Sequence, residues 1–99
     1  MTATMITVAN FAEDGTEALQ RYVEGVLPLL DQAGARVQRY GGVEALVGSD
    51  HFDLVAVMEF PSEAAMKQFL ASDAYTAMES YREKAFKFLM TFSSSLLLE

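Results

Sequence analysis

The stretch DLVAVMEFPS, Asp53 to Ser62, is apolar on both faces of a strand. Leu54, Ala56, Met58 and Phe60 point one way, and Val55 and Val57 the other, with Glu59 near the end. Two other segments share the property. In Thr4–Phe11, Met5, Ala9 and Phe11 oppose Ile6 and Val8. In Phe86–Ser93, alternation puts Phe86, Phe88, Met90 and Phe92 on one side and Leu89 on the other, between Lys87 and Thr91. An antiparallel sheet with one wet face alternates cleanly between apolar and polar residues. These strands therefore need cover on both sides.

Punctuation along the chain limits what can supply it. After the first strand, Glu13-Asp14-Gly15-Thr16-Glu17 opens a helix, with Asp14 and Glu17 at capping-box spacing. Leu19, Tyr22, Val23, Val26, Leu27 and Leu30 then recur at helical spacing. Pro28 is expected to bend that helix near Glu24-Gly25, and Gly34 to end it. Ala35–Val47 reads as a second strand broken by Gly41-Gly42, a sign of a bulge or a close backbone approach. Gly48-Ser49-Asp50-His51 is a turn, and Leu54–Phe60 the third strand. Pro61 stops that strand and Ser62 caps a helix carrying Ala65, Met66, Phe69 and Leu70 on one face. Ser72-Asp73 is a break with a fresh cap, followed by a second helical piece from Ala74 to Lys84. Phe86–Ser93 is the fourth strand. Leu98-Glu99 is compatible with a cloning remnant and stays outside the fold argument.

The order β-α-β-β-α-β is the α+β, ferredoxin-like pattern, an antiparallel sheet with its helices on one face. The helices cover one face only. A second copy in a two-fold dimer is the simplest cover for the other; the alternative is a monomer whose loops shield it. A patch of ~800 Å² per partner would match a standard interface. Composition agrees, since 52% of the 99 residues are hydrophobic, a large share for a small domain to hide. The net charge of −7 leaves no basic patch for nucleic acid or an anionic membrane. No apolar run approaches the ~20 residues of a membrane span. There is no cysteine, hence no thiolate chemistry, and with no signal-peptide pattern at the start the expected location is cytoplasmic.

FPSEAAMKQFLASDAYTAMESYREKA resembles the helical segment of a bacterial family, the domain of unknown function thirteen-thirty, within the dimeric α+β barrel superfamily. Phe60-Pro61-Ser62, Ala64-Ala65, Ser72-Asp73-Ala74-Tyr75 and Arg82 fit its pattern. So do Pro28-Leu29-Leu30, Gly34, Arg36 and Gly41-Gly42 followed by Gly48. The chain departs at Tyr40, where the family commonly has arginine, and at Ser49-Asp50-His51-Phe52, where it more often has tryptophan. The resemblance implies one dimeric barrel domain over residues 1–99 and no particular reaction.

The residues themselves supply candidate chemistry. Asp50-His51-Phe52-Asp53 offers the donors of a metal site or a His–Asp general base, but the flanking glycine and serine favour an ordinary polar hairpin turn. His51 is the only histidine, so a multi-histidine metal site within one chain is excluded; neither a metal nor a haem or other cofactor is expected. Arg36 and Arg39 with Tyr40 offer a carboxylate or enolate fork, or the charges that protect an edge strand. Asp73 with Arg82 offers a pair across the helix break, and Tyr75 a hydroxyl aimed into a cavity. Tyr22, Tyr75 and Tyr81 with Phe69 and Phe88 line a pocket or simply form core. No nucleophile elbow or phosphate loop is present. Two function classes follow. One is a cofactor-free oxygenase, isomerase or cyclase acting on an aromatic or enolic metabolite. It would use His51 or Tyr40 for proton transfer and Arg36, Arg39, Tyr75 and Arg82 for binding and charge. The other is a non-catalytic ligand-binding or stress-associated dimer module.

Overall fold

One antiparallel sheet gathers the three doubly apolar strands and a fourth, more polar one. The structure, a computed structural model, describes residues 2–94. Its elements are β1 (Ala3–Phe11), α1 (Thr16–Gln32), β2 (Arg36–Glu44), β3 (His51–Phe60), α2 (Glu63–Ala71), α3 (Asp73–Thr76), α4 (Glu79–Ala85) and β4 (Phe86–Ser94). The spatial order is β2-β3-β1-β4, the ferredoxin-like arrangement.

Register sorts the side chains, because directly paired residues share a face. The rows Val37–Met58–Met5, Arg39–Ala56–Thr7–Thr91 and Gly41–Leu54–Ala9–Leu89 lie under the helices. There Ala3, Met5, Ala56, Met58 and the fully buried Phe60 pack with Val26, Leu30, Met66 and Phe69. The intervening rows, Tyr40–Val55–Val8–Met90 and Gln38–Val57–Ile6–Phe92, lie on the opposite face, where no helix packs.

β4 departs from simple alternation. Phe11 pairs with Phe86 but Asn10 pairs with Phe88, so Lys87 is an extra residue in the ladder. Such a bulge reverses the facing of everything on one side of it. Phe86 therefore turns under the helices and is buried with Ala9 and Ala85, while Phe88, Met90 and Phe92 stay exposed on the open face. The expectation that all four share one side is corrected accordingly.

Local signals place the helices. Gly34, at φ +78, closes α1 in a Schellman arrangement, with Gly34 N–H donating to the Asp31 carbonyl and Ala35 N–H to that of Leu30. At the other end the expected capping box is absent; α1 starts after Gly15 without a side-chain cap. Gly15 is needed for room, since a Cβ there would come within 2.5 Å of the Lys84 carbonyl oxygen. Pro28 lies inside α1, which continues through it as a single helix. The Ser62 hydroxyl accepts from Ala65 N–H, and Ser72 does the same for Tyr75 N–H while donating to the Phe69 carbonyl. The stretch expected as one helix from Ala74 divides into α3 and α4, because Met78 N–H takes a tight bond to the Tyr75 carbonyl. Gly41-Gly42 is neither bulge nor close approach. The β2–β3 register is the same on either side of it, with no Gly42–Asp53 pair, and Gly42 takes a φ of +60 that favours glycine.

Candidate functional site

Between α1, α2, α3 and the covered face of the sheet lies a cavity of about 80 Å³. Its walls are mostly apolar, from Val23, Val26 and Leu27 on α1 to Leu54 and Ala56 on β3. Five of the residues that line it carry polar groups: Thr7, Tyr22, Arg39, Tyr75 and Thr91. Thr7 and Thr91 are cross-strand partners whose hydroxyls hydrogen-bond at 2.8 Å. Arg39, in the same row, is itself exposed and so stands at the opening.

The other polar wall is a chain of hydrogen bonds. Arg82 Nη1 donates to the Tyr75 hydroxyl at 3.0 Å, and the Tyr75 and Tyr22 hydroxyls lie 3.4 Å apart. Tyr22 is held from α1 with its ring edge-on to Phe86 at 5.6 Å, a placement that depends on the β4 bulge. Tyr75 is held from α3 by the Ser72 cap and by its ring against Phe69 at 4.7 Å. Arg82 sits one α4 turn beyond Glu79, its weak ion-pair partner at 3.8 Å. Burial, with the hydrogen bond to Tyr75 second, pushes the Tyr22 hydroxyl well above the usual phenol range. Tyr22 is therefore a neutral donor, not a base, near neutral pH.

The other candidates fall elsewhere. Of the residues expected at a site, Arg39 and Tyr75 line the cavity and Arg82 reaches it through Tyr75. Arg82 pairs with Tyr75 and Glu79, not with Asp73. Tyr40 is exposed in an open-face row, and Arg36 pairs with Glu59 at 3.8 Å at that face's edge. His51 is not in a turn but opens β3, opposite Glu44. The His–Asp pair does form, His51 Nε2 to Asp53 Oδ1 at 3.3 Å, away from the cavity. Phe11 N–H donates to Asp53 Oδ2 at 2.8 Å and, with His51, holds that carboxyl below its usual range. Among the aromatics, Tyr22, Tyr75 and Phe69 line the cavity; Phe88 is on the open face. Tyr81 lines a separate outer groove of about 740 Å³ with Glu13, Asp14, Arg21 and Lys84. Among the described residues, no three His, Cys, Asp or Glu side chains cluster as a metal would need. No helix among them is long and apolar enough to cross a membrane.

Sequence reasoning counted Tyr22 as lining and gave it no chemistry, and it passed over Thr7 and Thr91. A tyrosine on an apolar helix stripe is itself a signal, because a buried hydroxyl takes a partner. The threonines carried none, being ordinary strand residues.

Fold and site together define a ferredoxin-like α+β domain with a small tyrosine-lined cavity between helices and sheet. The chain belongs to the family described as Domain of unknown function (DUF1330), whose model matches residues 5–94. No curated protein matches the chain. Among solved structures it is similar to the RPA0582 protein of unknown function from Rhodopseudomonas palustris. The TM-score is 0.83 at 21% identity, covering 99% of this chain and 84% of that one. It is also similar to an ethyl tert-butyl ether d (ethd) family protein from Bacillus halodurans, with TM-score 0.70, 20% identity, and 98% and 100% covered. A third is a Bacteroides fragilis protein of unknown function described as dimeric and ferredoxin-like, with TM-score 0.68, 8% identity and 96% of each chain covered. At these identities the likeness concerns the fold.

Proposed function

We propose that the chain is a homodimeric, cytoplasmic, cofactor-free enzyme of the oxygenase, isomerase or cyclase type. Its substrate is a small aromatic or enolic metabolite bound in the cavity between α1 and the sheet. The observation that carries this reading is the chain from Arg82 through Tyr75 to Tyr22. Arg82 donates to the Tyr75 oxygen, and either hydroxyl can donate in the Tyr75–Tyr22 pair; in the arrangement with Tyr75 donating, the Tyr22 proton is free to point into the cavity. Each donor polarises the next, with a cation behind the last. Such a group stabilises negative charge growing on a carbonyl or enolate oxygen. Arg39 at the opening takes an anionic substituent.

The dimer forms through the open face. Tyr40, Val55, Val8 and Met90, with Val57, Ile6 and Phe92 beside them, make an apolar surface that a second copy covers; the dimeric description of the Bacteroides fragilis relative supports this. Tyr40, Arg36 and His51 lie outside the cavity and have no part in the chemistry of this reading.

A second reading, a non-catalytic ligand-binding or stress-associated module, is favoured by size. About 80 Å³ is well under the ~300 Å³ of a usual ligand pocket. It holds the apolar end of a ligand whose remainder extends past Arg39. Native mass spectrometry of protein from its own host tests both halves, expecting two subunits and a retained small molecule. Calorimetric titration with phenols and cyclic 1,3-diketones follows. Binding roughly 3- to 10-fold weaker in Tyr22→Phe is expected from the loss of one neutral hydrogen bond. Undiminished binding in that variant removes the enzyme reading, and single subunits at micromolar concentration remove the dimer.

A further inference from the structure

The β2–β3 hairpin outruns its sheet. The β1–β3 ladder ends at Ala9–Leu54, but β2–β3 pairing continues through Val43–Phe52 to Glu44–His51 and then into the loop 45–50. At about 3.3 Å per residue, the free ribbon and its loop reach roughly 15 to 20 Å beyond the four-stranded part. At its tip Leu46 and Val47 are 100% and 96% exposed. Single exposed apolar residues are common on surfaces, but an adjacent leucine and valine with no neighbours at all are not. A two-stranded ribbon alone in water is at best marginally stable.

The root of this arm is built with care. Beyond the last ladder pair, side chains continue the connection to β1: Asp53 N–H donates to Asn10 Oδ1 at 2.9 Å, and Phe11 N–H to Asp53 Oδ2 at 2.8 Å. Phe52 stacks on Phe88 at 6.1 Å, tying the arm to β4. The arm thus leaves the sheet in a set direction.

We infer that the arm is an exchange arm, whose Leu46 and Val47 seat on the second copy of this chain. The inference rests on the homodimer proposed above and deepens it. Area argues for this occupant. Where all four run together, strands about 4.8 Å apart and about seven residues long present a footprint of roughly 440 Å². A standard interface buries about 800 Å² per partner. A ribbon roughly 10 Å wide and 15 to 20 Å long, one from each copy, supplies about half of the difference.

The chain has no cysteine, so Ser49→Cys gives a single attachment point beside the apolar seat. The full-length variant, labelled with a benzophenone maleimide and irradiated at micromolar concentration, is expected to yield covalent dimers. Mixing isotope-labelled and unlabelled chains identifies the crosslinks that join two copies. In parallel, Leu46→Ser with Val47→Ser is expected to raise the dimer dissociation constant at least tenfold by sedimentation, with the far-ultraviolet circular dichroism unchanged. A wild type that sediments as single subunits overturns the homodimer and the arm with it. A wild-type dimer whose label crosslinks only within its own chain, or whose dissociation constant ignores the double substitution, overturns the arm and leaves the homodimer standing.

Discussion

Removing the Tyr75 hydroxyl should hurt more than removing that of Tyr22, although the two bond to each other. Tyr75 accepts from Arg82 at 3.0 Å, a charge-assisted bond of the kind worth about 1.5 to 3 kcal/mol. The Arg82 side chain is 29% exposed and keeps water and Glu79, so that figure shrinks toward ~1 to 2 kcal/mol. In Tyr75→Phe the half-buried Tyr22 hydroxyl also loses its partner. Tyr22→Phe, by contrast, removes one neutral bond at 3.4 Å, worth about 0.5 kcal/mol, and leaves Tyr75 with Arg82. Ring packing on Phe69 and Phe86 survives in both. At roughly 4 to 8 °C per kcal/mol, Tyr75→Phe should lower Tm by about 4 to 16 °C and Tyr22→Phe by no more than ~4 °C. The double variant should be no worse than Tyr75→Phe alone, because it removes the orphaned hydroxyl. Thermal melts of the four proteins at one fixed concentration measure this. Equal single-variant costs, or an additive double variant, would refute a chain anchored at Arg82.

Four other outcomes follow from the structure. Gly15→Ala should cost about 1 to 3 kcal/mol in urea unfolding, because its Cβ meets backbone at Lys84 and Ala85 that cannot move aside. Gly41→Ala, with nothing nearer than 3.8 Å, should be neutral or stabilising by up to ~1 kcal/mol. The raised Tyr22 hydroxyl stabilises the fold below the ordinary phenol value of 10.0. That stability is lost as pH climbs above 10, so the alkaline limb of a pH–stability curve should be flatter in Tyr22→Phe. Asp53, lowered from 3.8, stabilises above that pH. The contribution disappears as pH falls through the folded-state value, and Asp53→Asn should remove that part of the acid limb.

What was legible in the sequence was whatever short-range chemistry decides. Gly34, Ser62 and Ser72 act on backbone groups within a few residues, and each sits at the helix end its type implies. The ferredoxin-like fold class followed from the order of element types. The cavity was only half legible. Tyr75 and Arg82 came from the family pattern and Arg39 from its type, but the bond from Tyr75 to Tyr22 spans 53 positions and no spacing announces it. His51 read as turn because glycine, serine and aspartate precede it, yet pairing with Glu44 extends the strand to include it. The proposed site residues split between two faces for a related reason: Arg39 and Tyr40 are neighbours in sequence, and a strand sends neighbours to opposite sides.

The bulge at Lys87 shows how much can hang on one unpaired residue. A regular β4 would keep Phe86 with Phe88, Met90 and Phe92. Were all four under the helices, three more large side chains would crowd the space where Thr91 and Leu89 now line the cavity. Were all four on the open face, Tyr22 would lose the ring that holds it edge-on, and the cavity its Phe86 wall. The extra residue gives Phe86 to the site and leaves Phe88, Met90 and Phe92 on the exposed surface. The same irregularity therefore leaves room for a ligand on one face and concentrates on the other the apolar surface a second copy would cover. Neither could be read from alternation along β4, because a bulge is a property of the pairing with Asn10 and Phe11 rather than of the strand.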